Sequence, residues 1–105
     1  MILHNPNMEE LWKLISKIPE GMVTSYGELG RLLSNPASGY EVGRWMARCP
    51  ENLAWWRVVG KHGNLPVHKR DPRIGNDQRT RLEAEGVTFN GDLVVMQRHA
   101  WFPTF

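Results

Sequence analysis

Apolar positions recur at helical spacing at Met8, Leu11, Trp12, Ile15 and Ile18, with Asn7 as a candidate N-cap, Glu10 three residues on and Pro19 beyond the end. This pattern predicts a first amphipathic helix. Ser25 and Glu28 offer a capping-box pair ahead of Leu29, Leu32 and Leu33, and a turn follows at Ser34-Asn35-Pro36-Ala37. Ser38 and Glu41 repeat the pair, and Val42, Trp45 and Met46 line a third helix expected to close near Cys49-Pro50. Two short helices joined by a tight turn predict a helix-turn-helix, whose second helix would present Gly39, Tyr40 and Arg44. Further along, Trp56 to Val59 reads as a short buried strand and the stretch around Gly60 and Gly63 as turns. Asn76 is the expected cap of a last helix reaching about Glu85, with Gly86 as its stop. Val87-Thr88-Phe89, Asn90-Gly91 and Leu93-Val94-Val95 then predict a hairpin. The expected class is α+β, mainly helical: one domain over residues 1–105 with a winged-helix-like helix-turn-helix and a short C-terminal hairpin.

Composition narrows the picture. A chain of 105 residues with 41% hydrophobic content has material for one compact core. Its single cysteine, Cys49, has no partner for an internal disulfide and cannot by itself supply a zinc site. No apolar run is long enough for a membrane span, and Met1 to Asn7 lacks the basic start and apolar core of a secretion signal, so a cytoplasmic protein is expected. The net charge of +2 is small but unevenly placed. Residues 57–81 hold Arg57, Lys61, Lys69, Arg70, Arg73, Arg79 and Arg81 against Asp71 and Asp77 only. Such a segment suits a polyanion, because each cation that neutralises a phosphate releases counterions; it is equally readable as a solvated irregular loop. Helical hairpins also occur without nucleic acid, so these features alone leave DNA binding, sequence-specific regulation and neither of them open.

Further residues carry a resemblance. The run Ile18-Pro19-Glu20-Gly21-Met22-Val23-Thr24-Ser25-Tyr26-Gly27-Glu28-Leu29, the pair Val42-Gly43, the run Trp55-Trp56-Arg57-Val58-Val59 and Leu82-Glu83-Ala84-Glu85-Gly86-Val87 resemble, in matching order, segments of the O6-alkylguanine-DNA alkyltransferases. In those enzymes a Pro-Cys-His-Arg-Val motif supplies the thiolate that takes the alkyl group, with the histidine and a glutamate activating it through water. The matching stretch here is Ala54-Trp55-Trp56-Arg57-Val58, with Trp55 in the nucleophile's place and Trp56 in the histidine's. An indole does not accept the alkyl group, and Glu85, at the position resembling the family's glutamate, has nothing to activate. The pattern is similar to the non-enzymatic branch, the alkyltransferase-like proteins.

That resemblance implies a reader of alkylated guanine in double-stranded DNA, needing no cofactor and no metal, which extrudes the damaged nucleotide into a pocket. It implies that Tyr26 presses on the backbone, that the third helix enters the minor groove, that Trp55, Trp56 and Val58 line the pocket, and that Arg57 braces the motif. Arg70 or Lys69 is expected near the flipped base, with phosphate contact as the alternative. Tyr40 stands where the family carries an arginine finger, and Arg44 lies one turn later. Ala54 replaces the usual proline. By the same resemblance the protein is a monomer that hands lesions to the damage-recognition proteins of nucleotide excision repair, working at the nucleoid, or in the nucleus of a eukaryote. Cys49, ahead of the motif, reads as a small buried hydrophobe, and Trp12, Trp45 and Trp101 as packing residues. Adjacent Trp55 and Trp56 must point apart if extended, leaving one free to face a pocket. A helix-turn-helix regulator of undamaged DNA is the competing reading.

Overall fold

The computed structural model describes residues 5–103, apart from the side chains of His68 and Lys69. The first four residues of the supposed leader-free start therefore lie outside it.

The first helix, α1 (Pro6–Ile15), starts earlier than its apolar pattern suggests. Asn5, not Asn7, is the N-cap: its side chain accepts from the amides of Asn7 and Met8, and Pro6 takes the first helical position, where no N–H is missed. Glu10 is thereby freed from a cap and reaches the Ser34 amide and hydroxyl at 2.9 and 2.8 Å. Those bonds tie α1 to the turn after the second helix and hold the Glu10 carboxyl below its ordinary pKa.

A two-residue strand, β1 (Thr24–Ser25), leads into α2 (Tyr26–Leu32), and α3 (Gly39–Met46) follows the turn. Ser25 caps α2, while Glu28 turns to Arg31 instead of completing a box. Around Ser38 both halves of the capping box form. At Gly30 a Cβ would collide with the Ala37 carbonyl, so only glycine lets the turn fold back so closely. The expected helix-turn-helix is present, although α3 ends at Met46, short of Cys49.

The expected strand from Trp56 begins instead as a 3-10 turn over Trp55–Arg57, and only Val58–Val59 form β2, parallel to β1. On the other side of β1, Val23 bridges Ala100. After α4 (Val67–Arg70), the long helix α5 (Pro72–Ala84) begins earlier than expected, because Asp71, five residues before the expected cap Asn76, caps it and Pro72 opens it. Gly86 follows its C-cap at φ +89°, the left-handed conformation that glycine adopts without penalty. The hairpin pairs β3 (Phe89–Asn90) with β4 (Leu93–Val94), so its turn residues are Gly91 and Asp92, one step later than Asn90-Gly91. Positive φ at Gly91 alone matches a type II′ turn. Last comes α6 (Met96–His99), whose His99 Nε2 accepts from the Thr88 amide, so Nδ1 carries the proton donated to the Gly21 carbonyl.

Two apolar clusters hold these elements. The first joins Leu11, Leu14, Ile15, Ile18, Leu29, Leu33, Val42 and Val58, with Trp12, Trp45 and Trp101 packed against it as expected. Val23, Val59, Leu82, Val87 and Val94 make the second. Val58 and Val59, neighbours on β2, face different clusters, as alternation along a strand requires.

Candidate nucleic-acid interface

Beside the helix-turn-helix, a cavity of about 690 Å3 opens between the inner side of α3, the Trp55 turn, α4 and α5. Tyr26, Trp55, Val58 and Arg70, four of the residues singled out from sequence, line it together. Burial raises the Tyr26 pKa, against the pull of the nearby Arg70 charge, so its hydroxyl remains a protonated donor at neutral pH.

Trp56 and Arg57 stand outside the cavity. The 3-10 turn sets the two indoles nearly perpendicular, 85° apart with centroids at 6.0 Å, and sends Trp56 toward the second cluster. There its Nε1 donates to Glu85 at 2.9 Å. The Arg57 guanidinium donates to the same carboxylate at 2.7 Å and to the Ile18 carbonyl at 2.8 Å, and the Gly21 amide adds a bond at 3.1 Å. Burial works to raise the Glu85 pKa, but bonds from Arg57, Gly21 and Trp56 outweigh it and leave the carboxyl below its ordinary value. Arg57 thus joins its motif to Glu85 and to the Ile18 carbonyl and does not line the cavity.

Tyr40 and Arg44 lie on the exposed side of α3, one turn apart, with Tyr40 77% exposed. From the same helix Gly43 and Met46 turn inward to the cavity. Cys49 is half-buried there rather than fully enclosed, and burial lifts its pKa to about 11. The Lys69 side chain lies outside the described residues. Among those described, no group of three metal-ligating side chains converges.

Helix α5 contributes what the sequence reading missed. Arg81 pairs with Asp77 at 3.1 Å and lies 4.7 Å from the Trp56 ring centre and 5.9 Å from that of Trp55. Gln78 is 1% exposed, lines the cavity, and donates its amide to the carbonyls of Trp56 and Val58 at 3.1 and 3.0 Å. Among the described residues its Oε1 has no partner, an arrangement that costs roughly 1–3 kcal/mol when nothing compensates it. One signal was available: Gly75, Gln78 and Leu82 share the buried stripe of α5, and a polar residue on such a stripe demands a reason.

The uncommitted cations are also clear from geometry. Arg57, Arg73, Arg79 and Arg81 spend their charge on Glu85, Asp71, Glu83 with Asp92, and Asp77. In α3, just after it, and within residues 57–81, those whose side chains are described and have no ion-pair partner are Arg44, Arg48, Lys61 and Arg70.

Comparisons with known proteins show the family to which the chain belongs. The family model for the DNA-binding domain of 6-O-methylguanine DNA methyltransferase matches residues 6–87. The DNA base-flipping protein of Escherichia coli (strain K12) is 36% identical over 96 residues, which cover 89% of this chain and 72% of that protein. Alkyltransferase-like protein 1 of Schizosaccharomyces pombe is 36% identical over 81 residues, covering 74% and 73%. The crystal structure of S. pombe Atl1 in complex with damaged DNA containing O6-carboxymethylguanine superposes with a TM-score of 0.78 at 26% identity, over 97% of this chain and all of that one, 100%. The chain belongs to the family defined by the 6-O-methylguanine DNA methyltransferase DNA-binding domain, alongside its alkyltransferase-like and base-flipping relatives.

Proposed function

We propose that this protein binds O6-alkylguanine in duplex DNA, docking α3 in the minor groove and receiving the extruded nucleotide in the cavity beside it, without transferring the alkyl group. The observation that carries this reading is the cavity itself, which joins Tyr26, Trp55, Val58 and Arg70 next to a helix-turn-helix bearing unpaired Arg44. A pocket of about 690 Å3 falls in the range of small-molecule sites and has room for a purine with a substituent. An aromatic wall and a cation suit the π-face and polar edge of a base.

Two features support binding without transfer. Trp55 occupies the position that resembles the acceptor's, and indole is no thiolate. Burial pushes the pKa of the one thiol in the chain, Cys49, up to about 11, so the nucleophilic thiolate is disfavoured at neutral pH. Relatives and neighbours whose names refer to base flipping, or whose crystals hold damaged DNA, make the same binding role the economical one for this chain. A monomer that passes lesions to nucleotide excision repair completes the proposal. No described helix is long and apolar enough to cross a membrane.

The test compares one duplex carrying guanine or O6-methylguanine at a single position. Tighter binding to the lesion, with protein mass and lesion both unchanged after incubation, is expected. Equal affinity for the two duplexes would favour a regulator of undamaged DNA, and a methyl group gained on Cys49 would overturn the non-enzymatic part.

A further inference from the structure

A second hollow, of about 480 Å3, shares no lining residue with the cavity. Tyr26 lines the cavity, whereas Gly27 and Glu28, next along α2, line this hollow with Lys61, Met96, Trp101 and Phe102. One side of it is the edge of a small parallel sheet. Val23 donates to the His99 carbonyl at 2.8 Å and accepts from the Trp101 amide at 2.7 Å, so β1 lies between β2 and residues 99–101. In such a pairing the backbone groups of the bridged residue, Ala100, and of Phe102 two positions on, turn away from β1. The Ala100 amide closes onto the Met96 carbonyl, but the Ala100 carbonyl and the Phe102 amide have no partner among the described residues. Those two groups are spaced to take one residue of an added parallel strand, as Val23 is taken on the inner side. Trp101 packs against the first apolar cluster while Phe102 turns outward, 70% exposed. In the same hollow the Glu28 carboxylate is spent on Arg31, and Lys61 has no ion-pair partner.

These features specify one kind of occupant. Unpaired backbone groups along a strand edge accept an extended chain, an exposed aromatic ring in a concave site accepts an apolar side chain, and an uncompensated ammonium accepts a carboxylate. We infer that the hollow docks an extended segment of another protein, laid along Ala100–Phe102 with an apolar side chain in the hollow and a neighbouring carboxylate on Lys61. Pro103 carries no N–H and ends the edge, so the backbone contributes few bonds and the contact is transient. The inference stands whether or not the cavity receives a flipped base, and it gives the chain a face for a protein partner apart from the cavity.

The test is run without DNA, so failure of the lesion-binding reading leaves it untouched. The probes are short blocked peptides in which a glutamate adjoins leucine, isoleucine, valine, phenylalanine or tryptophan, and the same set with lysine for glutamate. Amide NMR spectra of the whole chain are expected to show glutamate peptides shifting Gly27, Lys61 and Phe102 and slowing exchange of the Phe102 amide. The matching lysine peptides should bind about 3- to 5-fold more weakly, the value of one exposed ion pair, and Lys61→Glu should reverse that preference. Replacing the peptide N–H that meets the Ala100 carbonyl by an ester oxygen should cost about 2- to 10-fold, the value of one hydrogen bond. Phe102→Ser, a change at an exposed position, should lose the shifts with its circular dichroism unchanged. The inference is overturned if no peptide shifts the Phe102 amide, if the two sets bind alike, or if Phe102→Ser binds as wild type does. A wild-type dimer in sedimentation that Phe102→Ser dissolves would give the hollow to a second copy instead, and a plain duplex that shifts Phe102 where the peptides do not would give it to nucleic acid.

Discussion

Glu85 accepts from four N–H groups, those of Arg57 Nε and Nη2, Trp56 Nε1 and the Gly21 amide, with its side chain 9% exposed. Removing it strands the Arg57 charge, so Glu85→Ala should cost about 3 kcal/mol in urea unfolding at pH 7. Its folded pKa lies below the ordinary value of 4.5, so its contribution is complete above that value and disappears as pH falls through the depressed folded one. The stability gap between wild type and Glu85→Gln should accordingly narrow when unfolding is repeated at about pH 3; a gap that widens in acid would contradict this sign. Tyr40 sets a different question, since it stands 77% exposed in the first turn of α3. If its ring fills the space left by an extruded nucleotide, Tyr40→Ala should weaken lesion binding by about 1–3 kcal/mol and dim a base analogue reporting extrusion, whereas a larger loss in Arg44→Ala would assign the wedge to Arg44. At this scale the sequence was only half legible. Trp55 and Trp56 were expected to point apart if extended; they do so in a 3-10 turn instead, and which of them meets the cavity depended on Glu85, 29 residues from Trp56.

Helix boundaries show what apolar periodicity can and cannot reveal. The two starts placed too late, at Asn7 and Asn76, share one local signature that outranks periodicity: Asn5-Pro6 and Asp71-Pro72 both set a capping side chain before a proline. Ser25 and Ser38 were placed correctly, each accepting at 3.1 Å from the amide three residues on, although Asn35-Pro36 offers the same signature just ahead of Ser38 without opening a helix. The strand expected from Trp56 shrank because Ala54 to Arg57 closes a 3-10 turn, an arrangement that alternating hydrophobicity does not encode. Between α2 and α3 the decisive residue is Gly30. A methyl group there would press on the Ala37 carbonyl, whose residue donates its own amide back to Gly30. Gly30→Ala should therefore destabilise the protein by about 1–3 kcal/mol in thermal or urea unfolding, despite alanine's better helix propensity, and an unchanged midpoint would show that the turn can open without cost.

For the molecule as a whole, the charge count of residues 57–81 overstated the electrostatic footprint, because folding pairs most of that segment internally. With Arg44, Arg48, Lys61 and Arg70 as the described cations of α3, its end and residues 57–81 that have no ion-pair partner, the slope of log affinity against log salt should lie near −4, at roughly −0.9 per phosphate. Titrations from low to physiological salt measure it directly. A slope of about −7 would mean that the internal ion pairs open on DNA, and a flat line would remove the nucleic acid altogether.

The unequal placement of the two indoles also limits how this chain can change. Trp55 lines the cavity and makes no hydrogen bond through its ring nitrogen among those described, whereas Trp56 is bonded to Glu85 and packed into the second cluster. A single Trp55→Cys replacement would put sulfur in the cavity wall but leave beside it an indole, whose nitrogen is a donor only and cannot take a proton from a thiol. Placing a base at position 56 means replacing Trp56 as well, and with it a bond to the Glu85 carboxylate. The two neighbours thus answer to different demands: a change at position 55 alters the cavity wall, and a change at position 56 also removes a bond to the Glu85 carboxylate.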